Sequence, residues 1–313
     1  MIVPAPKPIR LAVHVGPHKT GSTSVQRALA AARETLAGLG VWYPPSLPGA
    51  SWPDQHADAW ILLRDRRYAD FDRWLDGCRE EATKRGCDTL LISSENFHVP
   101  RTRRRLEAAL TRHRRMTGGD TRYVFVRREI VDLARSRALS HITGEAGFYF
   151  YQRYDLRRWA CHYAALQMRH GRWFARRGAR FVDLAAGPRS GLAARVLEAA
   201  TDRSFPDIVT GDDNITSGKI ANADATLTYA LRIMHHYATG EAVNVPSSFG
   251  AARRVLGTTA IDEAAFLALS EAFRAGVTRE VQLGVEDFRR LGPLAREWRV
   301  WFSSDAGGRK LGG

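Results

Sequence analysis

The sequence predicts an α/β protein with a central parallel sheet flanked by helices and a helical C-terminal half. Three observations predict it. Short apolar runs alternate with helix-patterned segments through the first part of the chain, the runs end at polar or glycine-bearing residues, and the residues beyond about position 190 carry helical patterns only. Strands separated by helices need crossover connections, which make the sheet parallel and the connections right-handed. In such a sheet a ligand crevice opens beyond the carboxyl ends of the strands.

The elements follow in order. A first strand is expected at Arg10 to Val15, then a loop, then a helix from Ser22 to Leu39, rich in Ala, Leu and Gln and stopped near Gly38 and Gly40. The Pro-rich stretch Trp42 to Pro53 reads as a loop. Phe71 to Arg85 has a helical pattern, and Asp88 to Ser93 is a short apolar run of the kind a buried parallel strand shows, with Ser94, Glu95 and Asn96 at its carboxyl end. Arg101 to Met116 reads as a basic helix, Arg122 to Val126 as a third strand, and Ile130 to Ile142 as the helix after it. A long helix is expected from Tyr154 to Arg177, a fourth strand from Ala179 to Leu184, and helices at Gly191 to Ala200, Lys219 to Ala238 and Ile261 to about Val281. Residues 1–313 are read as one elaborated domain, with residues 303–313, SSDAGGRKLGG, as a mobile tail lacking apolar content.

The segment Leu11 to Ser24, LAVHVGPHKTGSTS, carries the chemistry. An apolar strand runs into a glycine-bearing loop with a lysine and hydroxyls, and then into a helix. Backbone N–H groups at a helix start have no intrahelical partners and sit at the positive end of the helix dipole, so the layout is a phosphate cradle. The nucleotide-hydrolysing loop GxxxxGK[ST] places Lys after the second Gly, whereas here Lys19 precedes Gly21 and Ser22, Thr23 and Ser24 follow, so this is not a Walker A loop. Ser and Thr are also favoured helix caps, which is the plainer reading of the same residues.

Lys-Thr-Gly-Ser-Thr after a short strand resembles the 5′-phosphosulfate loop of the sulfotransferases that use 3′-phosphoadenosine 5′-phosphosulfate (PAPS). The segment Val124 to Ser136 extends the resemblance. In that family a strand ends at an Arg and a Ser eight residues later joins it at the cofactor's 3′-phosphate; here Arg128 and Ser136 have that spacing. The intervening Glu129-Ile130 departs from the usual small or polar residue and Pro, and the adjacent Arg127 competes for the role. The two motifs and the Ser-Ser-Glu strand end between them span roughly the first half of the chain. The second half resembles bacterial members of the family only in its coarse pattern of helices. The resemblance implies a P-loop-like sulfotransferase fold, PAPS as cofactor, and Lys19, Thr20, Gly21, Ser22, Thr23, Arg128 and Ser136 as the residues that hold it.

Sulfuryl transfer needs charge stabilised on the departing bridging oxygen while a proton leaves the acceptor. Lys19 is the candidate leaving-group cation. Glu95, at the end of the second expected strand, leads as the base; His98 is next, and His18 beside Lys19 stays open, since the family uses either Glu or His. His14 and His18 are four residues apart, but one is on a strand and the other in a loop, so no metal site is expected.

Composition sets the outer bounds. With 44% hydrophobic and 10% aromatic residues the chain has the make-up of a soluble globular protein. A net charge of +14 favours anionic ligands or surfaces. Only five of the 47 basic residues are lysines, so a lysine inside the phosphate loop is the less expected choice there. Neither an export signal nor a membrane-spanning run is read in the sequence, and Cys78, Cys87 and Cys161 have no metal-like or redox spacing, which together lead to the expectation of a cytoplasmic protein with reduced thiols. The acceptor is expected to be a carbohydrate, a glycolipid or a small metabolite with a hydroxyl or amine. The aromatics Phe148 to Tyr154 are candidates for a lid over it, stacking on a sugar ring or a lipid, with packing in the core as the equal alternative. The basic segment Arg101 to Arg115 reads first as a solvated face, with an anionic glycan, a membrane surface or nucleic acid as the alternative partners. Two other functions compete: a P-loop kinase-like phosphotransferase, opposed by the Lys-before-Gly order and the lack of a visible Mg-binding Asp at a strand end, and a non-enzymatic basic nucleic-acid-binding protein, for which no familiar signature is present, so no nucleic-acid partner is expected.

Overall fold

The computed structural model describes residues 8–50, 52–143, 156–205, 208 and 263–291. The chain divides into two compact units, Met1–Glu129 with Met168–Ser217 and Ile130–Gln167 with Gly218–Gly313. Each is described by itself.

The first unit is built on a five-stranded sheet, all parallel, of β1 (Arg10–Val15), β2 (Val41–Trp42), β3 (Thr89–Ser93), β4 (Thr121–Arg127) and β5 (Arg180–Asp183), in the order β2-β3-β1-β4-β5. Its helices are α1 (Ser22–Ala31), α2 (Arg33–Gly38), α3 (Ala57–Arg64), α4 (Tyr68–Lys84), α5 (Pro100–Thr117) and, after β5, the helix Leu192–Thr201; a 3₁₀ turn, Glu95–His98, follows β3. The second unit holds α6 (Ile130–Thr143), the start of α7 (Leu156–Ala175), whose residues from Met168 on belong to the first unit, and the helix Glu263–Leu291. Numbered in chain order, Leu192–Thr201 is α8 and Glu263–Leu291 is α9.

Strand alternation sorts the side chains onto two faces. Leu11, Val13, Val15, Leu90, Ile92, Tyr123 and Phe125 enter one core, with Leu63, Phe71, Leu75, Leu106 and Phe174 from the helices. Ala12, Leu91, Val124 and Val126 enter the other, with Val25 and Leu29 of α1 and Val196 and Leu197 of α8. Burial on both faces explains why β1, β3 and β4 read as continuous apolar runs. In the second unit Ala134 and Ala138, Leu156, Ala160 and Ala164, and Val277, Val281 and Val285 pack together. Gly284 is required there, because a Cβ would lie 2.1 Å from the carbonyl oxygen of Arg157.

The expected α/β class with a parallel sheet is present, with differences in detail. The expected helix from Ser22 to Leu39 is two helices broken at Ala32. Trp42, expected in a loop, belongs to β2, a fifth strand of two residues that exists only through pairing with Thr89 and Leu90. Helix α3 lies where no element is expected, and α9 runs on to Leu291. The helix expected at Lys219 to Ala238, the aromatics Phe148 to Tyr154 and the tail lie outside the described residues.

Candidate functional site

The connection from β1 leads through α1 and α2 to β2, on one side of the sheet, while its neighbour β4 leads to β5 on the other. Adjacent strands that depart in opposite directions leave a crevice at their carboxyl ends. The loop Gly16 to Gly21 stands there.

Its backbone is held in an uncommon form. Lys19 has φ 73° and Gly21 φ 83°, both left-handed, and a non-glycine residue in that region stores strain. At Gly21 a side chain would also collide, with a Cβ 2.9 Å from Cδ2 of Leu192. Thr20 Oγ1 donates to the Pro17 carbonyl at 2.7 Å and lies 3.2 Å from Ser22 Oγ, both hydroxyls being buried. Gly21 is the N-cap of α1, no side chain caps the helix, and its first turn holds no acidic residue. The hydroxyls of Thr20 and Ser22 are therefore not spent as caps, and the positive end of the helix is not offset by a carboxylate of its own. Lys19 is exposed, and Thr23 is half-buried.

Beneath the loop lies a buried polar set that the sequence did not reveal. His14 and Ser93 are register partners on β1 and β3, on the face covered by α1, and His14 Nδ1 is 2.7 Å from Ser93 Oγ. Gln26 of α1 donates to the same Oγ at 3.0 Å. The Nε2 of His14 is buried without a hydrogen-bond partner among the described residues. Burial lowers the His14 pKa to about 4, against a smaller opposing pull from Glu95, so the ring is neutral. His56 takes over the edge of β3 where β2 has ended: its N–H donates to the Ser93 carbonyl at 2.9 Å, and its Nδ1 accepts from the Ser93 N–H at 2.8 Å. Its Nε2–H then donates to the Pro44 carbonyl at 3.0 Å, which fixes a neutral tautomer; burial lowers this pKa to about 4 as well. The signal that could have found this set was the polar His14 and Ser93 inside otherwise apolar strands.

The end of β3 supplies the acid–base groups. Ser94 N–H donates to the His14 carbonyl, and Ser94 Oγ accepts from the Asn96 N–H, which turns the chain into the 3₁₀ segment. Glu95 Oε2 pairs with Nδ1 of His18, with side-chain exposures of 15% and 36% for Glu95 and His18. His98 Nδ1 bonds the Glu95 carbonyl, and the His98 ring lies 6.2 Å from that of His18. Glu95, His98, His18 and the loop are thus brought together from β1 and β3.

At the end of β4 the two arginines diverge. Arg127 pairs with Asp183 of β5 at 3.4 Å and stands over the Phe181 ring. Arg128 Nη1 donates to the Lys19 carbonyl at 3.1 Å. Ser136 is half-buried on α6 in the second unit.

No protein-family model matches this chain, and neither a curated protein nor a solved structure does. Among the described residues no helix is long and apolar enough to cross a membrane.

Proposed function

We propose that this chain is a sulfotransferase that moves the sulfuryl group of PAPS to a hydroxyl or amine of a carbohydrate, glycolipid or small metabolite, on a P-loop-like sulfotransferase fold. The observation that carries the reading is the uncapped start of α1 behind a left-handed Lys19–Gly21 turn, at the carboxyl edge of a parallel sheet. A 5′-phosphate fits that cradle, because the N–H groups of Thr20 and of the first turn, the Lys19 ammonium and the Ser22 and Thr23 hydroxyls are its natural donors, while the Thr20 hydroxyl is spent on the Pro17 carbonyl. PAPS supplies the sulfuryl group and a phosphate leaving group.

The residues divide the work. Lys19 stabilises the charge that gathers on the bridging oxygen as the S–O bond breaks. Arg128, which already reaches the loop, carries the planar donor set suited to the 3′-phosphate; Ser136 enters the proposal on its sequence spacing alone. The acceptor's proton goes to the Glu95–His18 pair: with His18 Nδ1–H donating to Glu95, the lone pair lies on His18 Nε2. His98 holds the Glu95 turn through its bond to the Glu95 carbonyl.

A thermal-shift comparison of 3′-phosphoadenosine 5′-phosphate (PAP), Mg-ATP and an oligonucleotide tests the reading, since a ligand bound only by the folded chain stabilises it by mass action. PAP should raise the Tm without added metal. A rise with Mg-ATP alone would replace the reading with a phosphotransferase, and a rise with the oligonucleotide alone with a nucleic-acid-binding protein.

A further inference from the structure

A second basic cluster lies next to His98, within the first unit. The His170 ring is 5.1 Å from that of His98, edge-on, and His170 is 2% exposed with neither ring nitrogen hydrogen-bonded among the described residues. Arg103 is half-buried on α5, stacked 4.7 Å over Trp173, and its Nη1 is buried without a hydrogen-bond partner among the described residues. Buried polar atoms almost always have partners, so three unpartnered nitrogens on two basic side chains near one another call for an explanation.

The surrounding charges do not provide it. Arg103 is surrounded by Arg177, Arg104 and Arg169 and by one carboxylate, Glu107. Glu107 is already held by Arg177 through two bonds, of 2.6 and 3.0 Å. Burial and the neighbouring guanidinium groups pull Arg103 below its ordinary value, and burial with His98, Arg103 and Arg169 pulls His170 down to about 3. Among the described residues the cluster is short of negative charge and of acceptors.

We propose that Arg103 and His170 bind an oxyanion, a sulfate, phosphate or carboxylate group carried by the acceptor. The guanidinium offers a planar, charged donor, and the neutral imidazole adds one N–H. The rings of His18, His98 and His170 follow one another at 6.2 and 5.1 Å, so the cluster continues directly from the Glu95–His18 pair. An acceptor anchored there by its charged group would present a hydroxyl or amine some bonds away to that pair. The nitrogens are closed off from solvent, so the anion enters with a rotamer change, for which the long Arg103 stem is suited. The oxyanion site stands on the unpartnered nitrogens; its assignment to the acceptor rests on the sulfuryl-transfer reading.

The test uses the full chain carrying Lys19→Ala, which removes the lysine of the phosphate loop, titrated with sodium sulfate against sodium chloride at matched ionic strength. The readout is the His170 imidazole resonance, assigned by its loss in His170→Gln. A saturable shift with sulfate is expected, with Kd raised about tenfold or more by Arg103→Gln and partly restored by Arg103→Lys. A His170 resonance indifferent to sulfate overturns the proposal without recourse to any arginine variant, and so does an unchanged Kd in a folded Arg103→Gln. PAP binding by the wild-type chain is read separately. Sulfate binding without PAP binding supports the oxyanion site and removes its assignment to an acceptor, whereas PAP binding with no sulfate response removes the subsite alone.

Discussion

The guanidinium of Arg128 donates to the carbonyl oxygen of Lys19 at 3.1 Å, joining the end of β4 to the left-handed residue of the loop after β1. The bond spans 109 positions of sequence, and it separates Arg128 from the adjacent Arg127, which the sequence leaves as a competitor for the same role. Arg127 turns instead to Asp183.

Replacing these arginines should therefore have unequal effects. Arg128→Ala removes a charged donor and should raise the Kd for PAP about tenfold to a hundredfold, whereas Arg127→Ala, which breaks an exposed ion pair, should change it less than threefold. Calorimetric titration with PAP checks both. Equal losses would reassign the 3′-phosphate contact.

Strain and function should separate at Lys19. The residue sits at φ 73°, where glycine is at ease and lysine is not. Lys19→Gly should raise unfolding stability by up to about 1 kcal/mol while abolishing sulfuryl transfer. Denaturant unfolding alongside a PAPS turnover assay would show it. A variant that keeps turnover takes Lys19 out of the mechanism.

Gly21 should respond in the opposite sense. Ala there meets both a left-handed backbone and the Leu192 side chain, whose Cδ2 would lie 2.9 Å from the new Cβ. A loss of about 1–3 kcal/mol is expected in the same unfolding measurement.

Glu95→Gln keeps the shape of the side chain and an oxygen that can accept from His18, but it removes the carboxylate charge that would stabilise the protonated pair. It should lower kcat about a hundredfold to ten-thousandfold with the PAP Kd unchanged. His18→Gln should lower kcat comparably, and the double variant should cost little more than either alone, because the two groups act as a unit. Additive losses would show that Glu95 and His18 act separately.

Stability should fall on acidification between about pH 6.5 and 4. His14 and His56 are neutral in the fold, with pKa values lowered from 6.5 to about 4 chiefly by burial, so in that window the unfolded chain binds the extra protons. The stabilisation is whole above pH 6.5 and is lost as the pH drops towards 4, by on the order of 3 kcal/mol per histidine. Urea unfolding at several pH values should show this slope, reduced in His14→Asn. A flat profile over this range would mean that neither ring must be neutral for the fold.

The sequence by itself determined the class of the fold and the place of the loop, because both rest on local signals. Continuous apolar runs mark strands buried on both faces, and Lys19 to Ser24 marks a helix start with donors around it. Whatever depends on a partner far along the chain was decided by the tertiary structure. Val41–Trp42 has too few residues to carry a pattern and becomes a strand only against Thr89 and Leu90. His14, Ser93, Gln26 and His56 come from four separate segments, and sheet register and the packing of α1 make them one buried set. Glu95 and His18 read as separate candidates until the parallel pairing of β1 and β3 brings their following loops together, since the ends of neighbouring parallel strands lie side by side whatever length of chain divides them.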